Sequence, residues 1–135
     1  MNTRPRPALA IGAALLAQGL LIAAAFAWVA FYSHVIAPGQ PFSAYEAYAQ
    51  RASPWVSVAV GMPLFFALAR WALRPAATAW AACGLYLVLD AALLALVLAG
   101  GGSLPWPMVL LSYATKMAAC ALGVRMAGAA LHSAA

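Results

Sequence analysis

The sequence predicts an all-α, polytopic membrane protein: four transmembrane helices in an antiparallel bundle, with a short exoplasmic interfacial helix between helices 1 and 2. Three observations predict it. Of the 135 residues, 67% are hydrophobic and 7% charged, whereas an ordinary soluble domain carries roughly 25% charged residues. Four apolar runs, about 8–31, 54–73, 76–99 and 105–124, each reach the roughly 20 residues needed to cross a hydrocarbon core about 30 Å thick. The basic residues also alternate along the chain. Arg4 and Arg6 precede the first run, Arg70 and Arg74 follow the second and Arg125 follows the fourth, while only Arg51 lies in the loops that face the other way. That is the positive-inside distribution, which places both termini in the cytoplasm of a multi-pass protein of the cell membrane. The formal net charge of +5 therefore reads as topology, with the lipid bilayer as partner and no nucleic acid. A single four-helix domain, 1–135, accounts for the chain.

The first run opens after a basic Arg4-Pro-Arg6 stretch, and its Ala25-Phe26-Ala27 resembles a signal cleavage site. The apolar run continues through Trp28 to Phe31, so it reads as a retained span. Gly19, Ala23 and Ala27 form a ridge of small residues at four-residue spacing, suited to close helix contact. The following loop breaks at Ala37-Pro-Gly-Gln-Pro41. Ser43-Ala-Tyr-Glu46 then supplies a capping box, which predicts the short interfacial helix. Ser53-Pro54 caps and starts the second span, since proline at the first helical position loses no hydrogen bond. Trp55 and Trp71 mark its two interfaces. Gly61 and Pro63 mark a hinge in its middle, because Pro63 leaves the Ala59 carbonyl without its helical donor. Trp80 and Trp106 mark interfaces of the third and fourth spans, which are joined by the Gly100-Gly-Gly102 turn.

Chemistry concentrates on the last two spans. Asp90 and Lys116 each sit in an otherwise uncharged apolar run, where insertion costs roughly 2.5 to 3.5 kcal/mol per charge. Both are equally far from Ser103 in the turn, so a helical hairpin puts each about 15 Å deep, at the middle of the bilayer. The expectation is a buried Asp90–Lys116 ion pair. Tyr86 lies one turn from Asp90, Ser112 and Tyr113 lie about one turn from Lys116, and Gln18 sits at similar depth. Together Gln18, Tyr86, Asp90, Ser112, Tyr113 and Lys116 form a midplane polar cluster. Outside the spans, His34 and Glu46 are the exoplasmic candidates for acid or metal chemistry, but two such ligands are too few to predict a metal. Cys83 and Cys120 read as small packing residues, with no disulfide expected. No cofactor is expected.

Size and span number are similar to those of the small multidrug resistance transporters, but those carry a glutamate in the first span where this chain has Gln18. Membership is therefore not assigned. The four-span glutathione and eicosanoid enzymes of membranes need a polar and charged set that is missing here. With no Ser/His/Asp set, no metal-ligand cluster and no phosphate-binding loop, the expected function is non-enzymatic. The leading reading is a structural or accessory subunit, its third and fourth helices tied by the Asp90–Lys116 pair, associating with itself or with a partner membrane subunit. The alternative is a proton- or ion-coupled small-molecule transporter, working as an oligomer through the midplane cluster.

Overall fold

Prolines open the helices, and π turns or glycines close the first three. The structure, a computed structural model, describes residues 4–132, and regular structure within them is entirely helical. Helix α1 runs from Pro7 to Phe31, with proline in its first turn, where no N–H is needed. A π turn over Tyr32–Ile36 continues it, closed by the Ala37 N–H donating to the Tyr32 carbonyl at 2.9 Å. Helix α2 runs from Phe42 to Ala67 and likewise ends in a π turn, Leu68–Ala72. Helix α3 is Ala76–Ala99 and helix α4 is Trp106–His132. All four helical stretches, Pro7–Ile36, Phe42–Ala72, Ala76–Ala99 and Trp106–Ala129, are long and apolar enough to cross a membrane.

The segment between the first two spans differs from the sequence expectation. Phe42–Ala67 is one continuous helix with Pro54 and Pro63 inside it, so no separate short helix precedes the second span. Its N-cap is Pro41, without a side-chain cap, and Ser43 already lies in the first turn; the Ser43/Glu46 capping box is not formed. Tyr45 does that work instead. The Gln40 N–H donates to the Tyr45 hydroxyl at 3.0 Å, and that hydroxyl donates to the Ala37 carbonyl at 2.8 Å. The loop is thus held against the helix it feeds, around Gly39 at φ 79°. Ser53 does not cap either: its hydroxyl donates back to the Ala49 carbonyl at 2.7 Å, beside the break that Pro54 makes in the helical ladder.

At the end of α3 the glycines form a Schellman closure. Gly101 is left-handed at φ 81°, Gly101 N–H donates to Leu98 and Gly102 N–H to Val97 at 2.9 Å. A Cβ on Gly102 would meet Val97 Cγ1 at 2.7 Å, so the close turn needs glycine there as well.

Packing is built on small residues. Ala10, Ala13, Ala14, Ala17 and Leu21 recur along one face of α1 and are buried with Thr78, Ala79, Ala82, Cys83 and Tyr86 of α3. The Arg6 N–H, just before α1, donates to Thr78 Oγ1 at 3.1 Å. The ridge expected to suit close helix contact, Gly19, Ala23 and Ala27, is exposed on another face of α1. Spacing alone had not distinguished two small-residue stripes on one helix. Helix α4 packs chiefly on α2, closest at Gly123, where a Cβ would lie 2.7 Å from the Phe66 carbonyl oxygen and 2.9 Å from Ala69 Cβ. The contact between α3 and α4 is the smaller one. Large apolar side chains such as Leu15, Leu16, Val88, Leu96 and Leu110 point outward, the arrangement suited to lipid as solvent.

Candidate functional site

Lys116 is fully buried, at 0% exposure, and its surroundings follow from the packing of α4 on α2. Its stem lies across Gly61 of α2, whose missing Cβ would stand 2.5 Å from Lys116 Cε. The glycine that the sequence marked as a hinge is a notch for the lysine. Pro63, two residues on, is exposed and interrupts the ladder on the outside of α2.

An ammonium has three donors and no acceptor, and here each donor has an oxygen. Lys116 Nζ donates to Ser57 Oγ at 2.7 Å, to Ser112 Oγ at 2.7 Å and to the Tyr86 hydroxyl at 2.9 Å. The two serine oxygens lie 3.3 Å apart, and Nζ also sits 4.9 Å from the Tyr86 ring centroid. Phe65 packs edge-on against the same ring, centroids 4.8 Å apart. Desolvating an ion costs several kcal/mol even after relaxation. Three charge-assisted hydrogen bonds, at about 1.5 to 3 kcal/mol each, are of the size needed to offset that. The lysine needs no carboxylate.

Nor does it have one, which corrects the expected ion pair. All three of its hydrogen bonds go to hydroxyls, while Asp90 Oδ1 accepts from Gln18 Nε2 at 3.4 Å. The depth argument addressed how far each residue lies from the turn, not how its helix is rotated. Because α3 packs chiefly on α1 and α4 chiefly on α2, Asp90 meets Gln18 of α1 and Lys116 meets Ser57 of α2.

Asp90 is only half-buried and borders two cavities. The larger, about 340 Å³, lies among α1, α2 and α3, with Gln18, Phe26, Ser53, Ser57, Tyr86 and Asp90 on its walls. The smaller, about 170 Å³, lies among α2, α3 and α4 and includes Met108, Ser112 and Tyr113. Asp90, Ser53 and Ser57 line both. Among the described residues two buried polar atoms have no hydrogen-bond partner: Gln18 Oε1, of a residue lining the larger cavity, and the Tyr113 hydroxyl, of a residue lining the smaller. Asp90 therefore sits between two chambers, each with an unused hydrogen-bonding group, and Ser57 links those chambers to the lysine behind them.

The structure thus divides the expected cluster in two. Tyr86, Ser112 and Lys116 meet directly, Gln18 meets Asp90, and Tyr113 shares a cavity with Asp90. Ser53 and Ser57 were not among the expected residues. The available signal was a pair of hydroxyls one turn apart on α2, obscured by reading Ser53 as a cap. His34 and Glu46 are both exposed, and no hydrogen bond or ion pair joins them. Among the described residues no three His, Cys, Asp or Glu side chains are grouped to hold a metal. Cys83 and Cys120 are buried free thiols, with Cys120 Sγ 3.8 Å from the Ala79 carbonyl oxygen.

The Gly61 notch gives a direct check. Gly61→Ala is expected to cost about 1 to 3 kcal/mol through overpacking against a stem held at its far end. The same change should cost almost nothing in a Lys116→Ala background, measured by denaturant titration in mixed micelles.

Comparison with known proteins returns no match: no family model, no curated protein and no solved structure is similar to the chain.

Proposed function

We propose that this protein is a non-enzymatic membrane carrier in which Asp90 binds a proton or a lipophilic monocation. The observation that carries this reading is a carboxylate, with no ion pair among the described residues, on the shared wall of two largely apolar chambers. In a low-dielectric enclosure such a charge attracts a cation strongly. The larger chamber, about 340 Å³, is at the small end of the range for small-molecule sites. Its aliphatic and aromatic walls suit an organic cation with an apolar body. The outward-facing Phe26, 73% exposed, stands at its edge. Proton and cation would compete for one carboxylate, which is the elementary requirement for coupled exchange.

The topology that goes with this reading is an antiparallel bundle in the cell membrane, with both termini cytoplasmic. Contacts at one end support it: Arg6 before α1 bonds Thr78 of α3, and Gly123 of α4 approaches Arg70 at the end of α2. Those meeting points gather Arg6, Arg70, Arg74 and Arg125 toward one side, as the positive-inside rule requires. A second reading, an accessory subunit or a carrier that works as an oligomer, is favoured by the exposed Gly19 and Ala23 on α1, which leave a small-residue face for another membrane helix.

Binding of a tetraarylphosphonium cation to the purified protein tests the proposal. Asp90→Asn is expected to weaken binding about tenfold or more while leaving thermal stability near that of the parent, because Gln18 can still donate to the amide oxygen. Equal affinity of parent and Asp90→Asn for the cation would exclude Asp90 as the site.

A further inference from the structure

A separate groove runs along the outside of the molecule between α1 and α2. It encloses about 1050 Å³, with Ala24, Trp28 and Phe31 on one side and Tyr48, Arg51 and Trp55 on the other. Small residues make its floor: Ala24 and Ala52 are half-buried where larger side chains would fill the space. Its rim is braced. Trp28 Nε1 donates to the Tyr48 hydroxyl at 2.9 Å, and Tyr48 stacks on Tyr32 with ring centroids 3.5 Å apart and planes 8° from parallel. Along α2 the groove's lining runs from Tyr48 to Val60, about 18 Å at 1.5 Å per residue, and the part from Arg51 to Val60 takes about 14 Å of it. That is close to half of a hydrocarbon core about 30 Å thick, the depth of one leaflet.

One charged group stands in this groove, about one turn from its Tyr48 end. The Arg51 guanidinium is exposed and makes no hydrogen bond within the described protein. Below it the walls are almost wholly apolar. A cationic fork with all its donors open, set above an apolar channel one leaflet deep and flanked by two tryptophans, matches one kind of occupant: a phosphate above an acyl chain. We propose that this groove is a binding site for a single anionic phospholipid, its phosphate on Arg51 and one chain lying between Trp28 and Trp55. An anionic headgroup is specified because a zwitterionic one brings its own cation to compete with Arg51. The site shares no lining residue with either Asp90 cavity, so it stands or falls independently of carriage.

Tryptophan quenching tests it. The chain has five tryptophans, and Trp71, Trp80 and Trp106 are exposed elsewhere. Replacing those three with phenylalanine leaves emission that reports only on the groove. The protein is reconstituted in zwitterionic vesicles containing a small fraction of chain-brominated lipid, either phosphatidylglycerol or phosphatidylcholine. Brominated phosphatidylglycerol is expected to quench with about fivefold higher apparent affinity, and Arg51→Gln is expected to abolish that preference. Arg51→Gln removes no hydrogen bond or ion pair among the described residues, and an unchanged melting temperature checks that the fold is retained. Equal quenching by the two lipids, or a preference that survives Arg51→Gln, overturns the proposal. Weak quenching by both lipids that rises on dilution of the protein would instead assign the groove to a second copy of the chain.

Discussion

Gly123→Ala lowers stability by about 2 kcal/mol, whereas Gly19→Ala leaves it unchanged or raises it by up to about 1 kcal/mol. The two substitutions add the same methyl group to the same kind of helix. At Gly19 nothing lies within 4 Å of the new Cβ, so the change acts only through backbone propensity, which favours alanine. At Gly123 the methyl would stand 2.7 Å from the Phe66 carbonyl oxygen and 3.2 Å from the Arg70 backbone nitrogen. Those are backbone atoms and cannot rotate aside, so α4 must move off α2. Overpacking of this kind costs about 3 kcal/mol at the upper end of its ordinary range, and the propensity gain of about 1 kcal/mol offsets part of it. Gly123→Leu should prevent assembly of the helices, because α2 and α4 share the largest helix contact in the molecule. Denaturant titration in mixed micelles, with Gly19→Ala as the control, reads both signs. A similar response at the two sites would mean that the α2–α4 approach is not tight.

What the sequence reveals about this fold is governed by which physical signal each feature leaves. Length and apolarity leave a strong one: four helices were expected, and four long and apolar enough to cross a membrane are found among the described residues. Prolines were read less well. Pro54 was expected to begin a helix and lies inside one, because neighbouring turns carry the chain through a single lost hydrogen bond when Ser53 and the packing around it hold the backbone in place. Helix rotation leaves the weakest signal in a chain so rich in alanine. Every face of α1 offers small residues; the ridge picked out by spacing, Gly19-Ala23-Ala27, is exposed, and the buried stripe Ala10-Ala13-Ala14-Ala17 was not singled out. The same ambiguity misplaced Asp90. Its depth followed from counting residues along α3, but its partner depended on a facing that only tertiary contact determines. Ser112, expected beside Lys116, does bond it, whereas Tyr86, expected beside Asp90, gives its hydroxyl to the lysine instead. Ser57 was missed because its partner in the pattern, Ser53 one turn earlier, was read as a cap.

The hydroxyl ring and the expected ion pair make opposite demands on a double-mutant cycle. Ser112→Ala removes one acceptor from a buried ammonium that has no solvent to turn to, and should cost about 1.5 to 3 kcal/mol. Lys116→Met keeps most of the stem over Gly61 and removes the charge together with its desolvation cost. Buried ions replaced by apolar residues of similar volume often leave stability unchanged or improved, so this change should be mild. In the Lys116→Met background Ser112→Ala should then cost much less than it does alone, since its oxygen no longer serves a charge. That difference, expected to exceed about 1 kcal/mol, measures the bond directly. Pairing Asp90→Asn with Lys116→Met should give a smaller interaction, because Asp90 bonds Gln18 and none of the lysine's donors reaches it. Had the two charges been partners, removing either alone would cost about 3 to 5 kcal/mol and removing both would cost much less than the sum. A strong Asp90/Lys116 coupling with a weak Ser112/Lys116 coupling would reverse the assignment and return the carboxylate to a structural role. The expected pattern leaves Lys116 as the fixed cation of the core and Asp90 as the charge free to take a ligand.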